Sequence, residues 1–116
     1  EPLDLARKIE KAKELGGPRL IISLAPCPTG WGYDPKDTGE LGRLAVKTGI
    51  WPLKEYIDGQ VEHTLRPGSR RPVEDYLSKQ RRFNHLFDPI RNEQVLAEIQ
   101  KGVDDYWAEV DARERE

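Results

Sequence analysis

The stretch Pro18-Arg19-Leu20-Ile21-Ile22-Ser23-Leu24-Ala25-Pro26-Cys27-Pro28-Thr29-Gly30-Trp31 decides how this chain is read. Its first eight residues form a short, partly β-branched apolar run, bounded by Gly16-Gly17 upstream and Pro26 downstream. An uninterrupted run of this kind predicts a strand buried on both faces, as in a parallel sheet. Pro26 and Pro28 each fix φ and bias the residues before them, Ala25 and Cys27, toward extended conformations. The stiffened loop presents the only thiol of the chain just past the carboxyl end of that strand. In open α/β sheets this is the edge where ligands and cofactors bind.

Upstream, Leu5, Ile9 and Ala12 recur at i, i+4, i+7 and predict a helix over 3–15, stopped by Gly16-Gly17. A helix, a tight turn and an apolar strand make half of a βαβ unit. Downstream, Asp34-Pro35 gives a carboxylate cap followed by proline at the first helical position. The helix it opens carries Leu41, Leu44, Ala45 and Thr48 on one face and ends at Gly49. Within it, Gly39 and Gly42 stand three apart, a spacing that can admit another backbone. Asp58-Gly59 between the strand-like runs 51–57 and 60–65 predicts an antiparallel hairpin with a type I′ turn. His63 falls on the second run and is read as an exposed strand residue.

Pro72 opens a short helix with Val73, Tyr76, Leu77 and Gln80 at helical spacing, and Phe83, Leu86 and Phe87 form a small apolar cluster. Asp88-Pro89 repeats the cap-plus-proline signal and is expected to start the last helix. There Leu96, Ile99, Val103, Tyr106 and Val110 make a narrow seam suited to docking. The charged end, 111–116, is expected to fray. Two parts follow: 1–50, an α/β portion containing the Cys loop, and 51–116, a hairpin with a helical C-terminal extension.

Composition narrows the classes. At 116 residues the chain suffices for one domain, and a formal net charge of −2 gives no overall field for nucleic acid or a membrane surface. No apolar run approaches the ~20 residues of a membrane span, and no signal-peptide pattern opens the sequence. One cysteine excludes an internal disulfide and suits a reducing, cytoplasmic setting. The sequence has no methionine and begins Glu-Pro, and its hydrophobic content is 36%. That is on the low side for a domain closing its own core, where apolar residues with glycine reach about 45–50%. Both features suggest a piece of a longer polypeptide with an incomplete core.

Cys27 alone leaves its role open between a small buried hydrophobe and a metal or cluster ligand. Cysteine-based catalysis lacks a neighbour to activate the thiol, since no His, Lys or Arg lies within six residues before it or eight after. Zinc fails on ligand count, and Gly30 and Gly32 lack the remaining spacing of a phosphate loop. Arg66, Arg70, Arg71, Arg81 and Arg82 read as a solvated basic face, with a phosphate-bearing ligand or an acidic neighbouring chain as the other reading. Trp31, Trp51 and Trp107 read as packing anchors, Trp31 as an apolar wall beside the Cys loop.

Three stretches carry a family resemblance: Ala25-Pro26-Cys27-Pro28-Thr29-Gly30-Trp31, Asp34-Pro35, and Leu44-Ala45-Val46-Lys47-Thr48-Gly49-Ile50-Trp51-Pro52-Leu53. With Arg71-Pro72-Val73-Glu74-Asp75-Tyr76-Leu77 and Gln80-Arg81-Arg82-Phe83, they resemble the C-terminal part of the beta subunit of pyruvate:ferredoxin oxidoreductase and its 2-oxoacid relatives. The resemblance implies the C-terminal part of a thiamine-diphosphate-binding fold, a parallel sheet with flanking helices. It implies an enzyme that oxidatively decarboxylates a 2-oxoacid, commonly with coenzyme A, and passes electrons through a [4Fe-4S] cluster to ferredoxin. The implied cofactors are that cluster, thiamine diphosphate and Mg2+. The implied partners are the remainder of the beta subunit, the other oxidoreductase subunits and ferredoxin. Cys27 matches the fourth cluster cysteine, in the family's Pro-Cys-Pro-Thr-Gly-Trp motif. The other three cysteines and the Gly-Asp-Gly motif that holds magnesium and the diphosphate have no counterpart here, so no residue of this chain is assigned a catalytic role. The competing reading is a non-catalytic assembly segment in which Cys27 is only a buried packing residue.

Overall fold

The computed structural model describes residues 1–114. In chain order the elements are helix α1 (Pro2–Glu14), helix α2 (Thr38–Lys47), strands β1 (Leu53–Ile57) and β2 (Gln60–Leu65), helix α3 (Val73–Leu77) and helix α4 (Glu93–Glu114). A π turn at Pro28–Gly32 and 3-10 turns at Pro35–Asp37 and Arg81–Leu86 connect them. The architecture is therefore mixed helix and strand, with one two-stranded antiparallel sheet among the described residues.

Helix α2 sits at the centre. Asp34 accepts a hydrogen bond from the Lys36 N–H at 3.0 Å, opening the 3-10 turn that runs into the helix. Leu41, Leu44 and Ala45 are buried on its inner face, as the periodicity predicts. They pack with Val73, Tyr76 and Leu77 of α3 and with Leu86 and Leu96. Of the two spaced glycines, Gly42 lies beneath Pro26: a Cβ there would stand 3.8 Å from the Pro26 ring, ordinary contact rather than a required vacancy.

The hairpin follows its turn chemistry. Asp58 and Gly59 have φ of 50° and 80°, the paired left-handed residues of a type I′ turn. Pairing runs from Ile57↔Gln60 to Lys54↔His63, then slips at Leu53↔Leu65, leaving Thr64 as the extra residue of a bulge. The bulge frees the Thr64 hydroxyl to donate to Asp4 at 2.5 Å and to accept from Lys8 at 2.6 Å, which ties α1 to the hairpin. Lys11 adds a contact to Glu55 at 2.5 Å.

At four places the described structure differs from the expectation. Residues 18–25 carry no strand pairing among the described residues, and Leu20 and Ile22 are 84% and 71% exposed. A strand exists only as part of a ladder, and this segment has no neighbour here to satisfy its N–H and C=O groups. Second, Asp88-Pro89 does not begin α4. It forms a bend with a cis peptide bond, and the cap is Asn92, whose Oδ1 accepts from the Val95 N–H at 3.1 Å. Asn92 directly precedes Glu93 and the apolar pair Val95-Leu96, so its side chain reaches the orphan amides of the first turn. Third, α4 continues through 111–114 rather than fraying there. Arg66 pairs with Asp111 at 2.9 Å and with Glu114, fastening the last turn to the hairpin; 115–116 lie outside the described residues. Fourth, His63 is buried rather than exposed.

Side-chain burial is uneven. Helix α1 buries none of its residues, and Leu5 and Ile9 of its predicted stripe remain about two-fifths exposed at 39% and 40%. The radius of gyration is 16.2 Å, against about 13 Å for a compact domain of this length. An apolar helix face and an unpaired apolar segment thus lie on the outside of an extended molecule.

Candidate functional site

Cys27 is exposed, at the head of the π turn. The turn is closed by the Trp31 N–H donating to the Cys27 carbonyl at 2.9 Å and the Tyr33 N–H donating to the Pro28 carbonyl at 3.2 Å. The Gly30 N–H donates to Cys27 Sγ at 3.3 Å. A Cβ at Gly30 would stand 3.3 Å from that sulfur, so glycine keeps the amide's approach unobstructed. The sulfur therefore faces outward and already accepts one backbone donor, an arrangement that suits a thiolate ligand. Among the described residues no three His, Cys, Asp or Glu side chains gather in a geometry that could hold a metal ion. With a single cysteine in its sequence, the chain could contribute at most one thiolate to a cluster.

Trp31 turns inward from the same loop. Its ring meets Tyr33 at 6.2 Å and Tyr76 edge-on at 6.1 Å between centroids. The Arg82 guanidinium lies 4.1 Å from its centroid, a cation–π distance. Arg82 Nε donates to Gln80 Oε1 at 2.6 Å and an Arg82 terminal nitrogen donates to the Tyr76 hydroxyl at 3.2 Å. Gln80, 1% exposed, donates in turn to the Tyr76 carbonyl at 2.7 Å. Burial holds the Tyr76 phenol above its ordinary pKa against the opposing pull of Arg82, so the hydroxyl stays protonated.

Arg66, Arg71, Arg81 and Arg82 are exposed, as a solvated basic face predicts, and most of the basic residues are also paired. Arg66 and Arg70 bind carboxylates of α4, with Arg70 at 3.3 Å from Asp104, and Arg71 pairs with Asp75 at 2.9 Å. Arg82 is taken up by Trp31, Gln80 and Tyr76. Sequence reasoning placed Trp31 correctly and missed Gln80 and Arg82 as its support. The one available signal was Gln80-Arg81-Arg82-Phe83 itself, a polar and basic run ending on an aromatic.

A second polar cluster joins the hairpin to α4. His63 Nδ1 lies 2.7 Å from Glu114 Oε1, and Nε2 lies 2.7 Å from the Tyr106 hydroxyl, which also accepts from Lys54 at 3.3 Å. A neutral imidazole satisfies every contact: Nδ1–H donates to Glu114 and Nε2 accepts the Tyr106 proton. Burial first, and then Lys54, Arg66 and Arg113, lower the His63 pKa below its ordinary value. The Glu114 carboxylate would raise it, but Arg66 already balances that charge. Trp107 closes the cluster from below, 5.4 Å from His63 between ring centroids, and donates its indole N–H to the Gly49 carbonyl at 3.0 Å.

No protein-family model matches the chain. Among curated relatives, pyruvate synthase subunit PorB of Methanothermobacter thermautotrophicus is 50% identical over 109 residues, covering 94% of this chain and 36% of the relative. PorB of Methanocaldococcus jannaschii is 46% identical over 104 residues, covering 90% of this chain and 33% of the relative. Ketoisovalerate oxidoreductase subunit VorB of Pyrococcus abyssi is 35% identical over 108 residues, covering 91% of this chain and 33% of the relative. The chain spans about a third of the length of the curated relatives it matches.

Proposed function

We propose that the chain, whose relatives are named pyruvate synthase subunit PorB and ketoisovalerate oxidoreductase subunit VorB, is a segment of the beta subunit of a 2-oxoacid:ferredoxin oxidoreductase and supplies one cluster ligand, Cys27, to that enzyme. The single observation that carries the proposal is the outward-facing Cys27 sulfur at the head of a proline-stiffened turn, accepting the Gly30 N–H. A [4Fe-4S] cluster, when bound, accepts and passes on single electrons, and thiamine diphosphate with Mg2+ supplies the carbon chemistry of 2-oxoacid oxidation. This chain's residues do the holding. Pro26 and Pro28 restrict the backbone on either side of the sulfur, and the Gly30 amide adds a donor of the kind that tunes a thiolate's donation to iron. Trp31 walls the inner side of the loop.

The unpaired apolar run 18–25 and the exposed face of α1 support a second part of the proposal. They are the completion surface for the rest of the subunit, whose strands pair with 18–25 in a parallel sheet of a thiamine-diphosphate-binding fold. Assembly and ligation are then two roles of one segment, with ferredoxin, coenzyme A and the 2-oxoacid meeting the whole complex rather than this piece. No helix among the described residues is long and apolar enough to cross a membrane.

The test is an anaerobic preparation of the complete complex with wild-type sequence and with Cys27→Ala. The alanine variant should lose iron and visible absorbance and fail to reduce ferredoxin, while still binding thiamine diphosphate. Full iron content with unchanged ferredoxin reduction would refute the assignment.

A further inference from the structure

We propose that Arg82 is the positioning residue of the Cys27 loop, clamping Trp31 to a buried anchor so that the Cys27 sulfur is held in one place. The inference rests on the assignment of Cys27 as a cluster ligand. The three hydrogen bonds that shape the π turn, to the Cys27 carbonyl, the Pro28 carbonyl and Cys27 Sγ, close it on itself and leave it untied to the core. The tie is made by side chains. Trp31 leans on the edge of Tyr76, and the Arg82 guanidinium covers its ring at 4.1 Å while also meeting Phe83 at 4.6 Å. Two donors of that same guanidinium are fixed by buried groups, Gln80 Oε1 and the Tyr76 hydroxyl. The planar cation therefore joins the core on its edge to the loop on its face. Lysine offers neither the plane nor the second directed donor.

Arg81 grips the loop in another way. Gly32 has φ of +75°, and a Cβ there would stand 2.7 Å from Arg81 Cβ, so the loop backbone rests on the first carbon of the Arg81 side chain. Alanine at 81 keeps that carbon and removes a charge adjacent to Arg82. The pair thus separates a brace from a general electrostatic effect.

The experiment uses the complete anaerobic complex with Arg82→Ala, the milder Arg82→Lys, Arg81→Ala and Cys27→Ala. Two quantities are read: the midpoint potential of the cluster, and the rate at which iodoacetamide alkylates Cys27 after iron is removed by a chelator. Arg82→Ala should alkylate about tenfold faster than wild type, the scale expected for losing a cation–π contact and a charge-assisted hydrogen bond, and Arg82→Lys, which keeps the cation, should alkylate faster by a smaller factor. They should also shift the potential, because the sulfur's amide donor and solvent exposure change with the loop. Arg81→Ala, which keeps the Cβ but loses the Nε that also lies over Gly32, should change both clearly less than Arg82→Ala. Arg82 variants indistinguishable from wild type would overturn the proposal, as would an Arg81→Ala shift as large as that of Arg82→Ala. If Cys27→Ala keeps its iron, the ligand assignment fails separately; the alkylation rates still judge the brace, since they need only a thiol at position 27.

Discussion

Replacing Gly49 with alanine should break the junction of α2, the hairpin and α4. Gly49 ends α2 with φ of +81°, and a Cβ there would lie 2.4 Å from Trp107 Nε1, 3.0 Å from Trp107 Cδ1 and 2.9 Å from Arg70 Cδ. Arg70 can swing aside. Trp107 cannot, because it is 2% exposed and its ring packs edge-on against both His63 and Tyr106. The left-handed backbone costs a residue with a Cβ roughly 1–2 kcal/mol. Displacing the indole breaks its hydrogen bond to the Gly49 carbonyl inside the core, which adds about 1–3 kcal/mol for the buried groups left unpaired. A loss of about 2–5 kcal/mol follows from these two effects together, a large share of the stability of a small domain. Urea unfolding of wild type and variant, followed by far-ultraviolet circular dichroism, measures it. Gly102→Ala is the matched control: nothing lies within 4 Å of its added Cβ, it is in the interior of α4, and it should stabilise by about 0.5–1 kcal/mol. A Gly49→Ala variant within 1 kcal/mol of wild type would refute the reasoning.

Stability should also depend on pH through His63. The folded site lowers the His63 pKa below 6.5, so the unfolded chain binds that proton more readily than the folded one. The contribution is complete above 6.5 and is lost as pH falls below it toward the folded value; His63→Gln should flatten this part of a stability-versus-pH curve, and an unchanged curve would contradict the neutral-imidazole assignment. At the other end of α4, Asn92→Ala should cost about 1 kcal/mol by removing the cap. Asp88→Ala should cost less, and the reverse order in denaturant titrations would return the helix start to Asp88-Pro89.

What could be read from the sequence follows the range of the interactions concerned. The Asp58-Gly59 turn, the stop at Gly49 and the cap of Asp34 on Lys36 all lie within a few residues of chain, and each appears as its local chemistry predicts. The buried face of α2 is legible for the same reason, because Leu41, Leu44 and Ala45 recur at the helical period. His63 was not legible: its partners Tyr106 and Glu114 stand 43 and 51 residues away, and nothing near it signals burial. Arg82 looked like one charge in a basic run because its role is set by Trp31, which the fold brings in from far upstream. The 18–25 segment shows the opposite limit. Its composition predicts a strand, but pairing requires a partner strand that these residues do not contain.

The proposed function stands on the sulfur of Cys27. An anaerobic structure of the complete complex tests it most directly, through the electron density around that atom. Continuous density is expected from Cys27 Sγ to an iron at about 2.3 Å, by analogy with zinc–thiolate bonds, with the Gly30 N–H still directed at the sulfur. A fully occupied cluster ligated without Cys27, and a free thiol at that position, would contradict it.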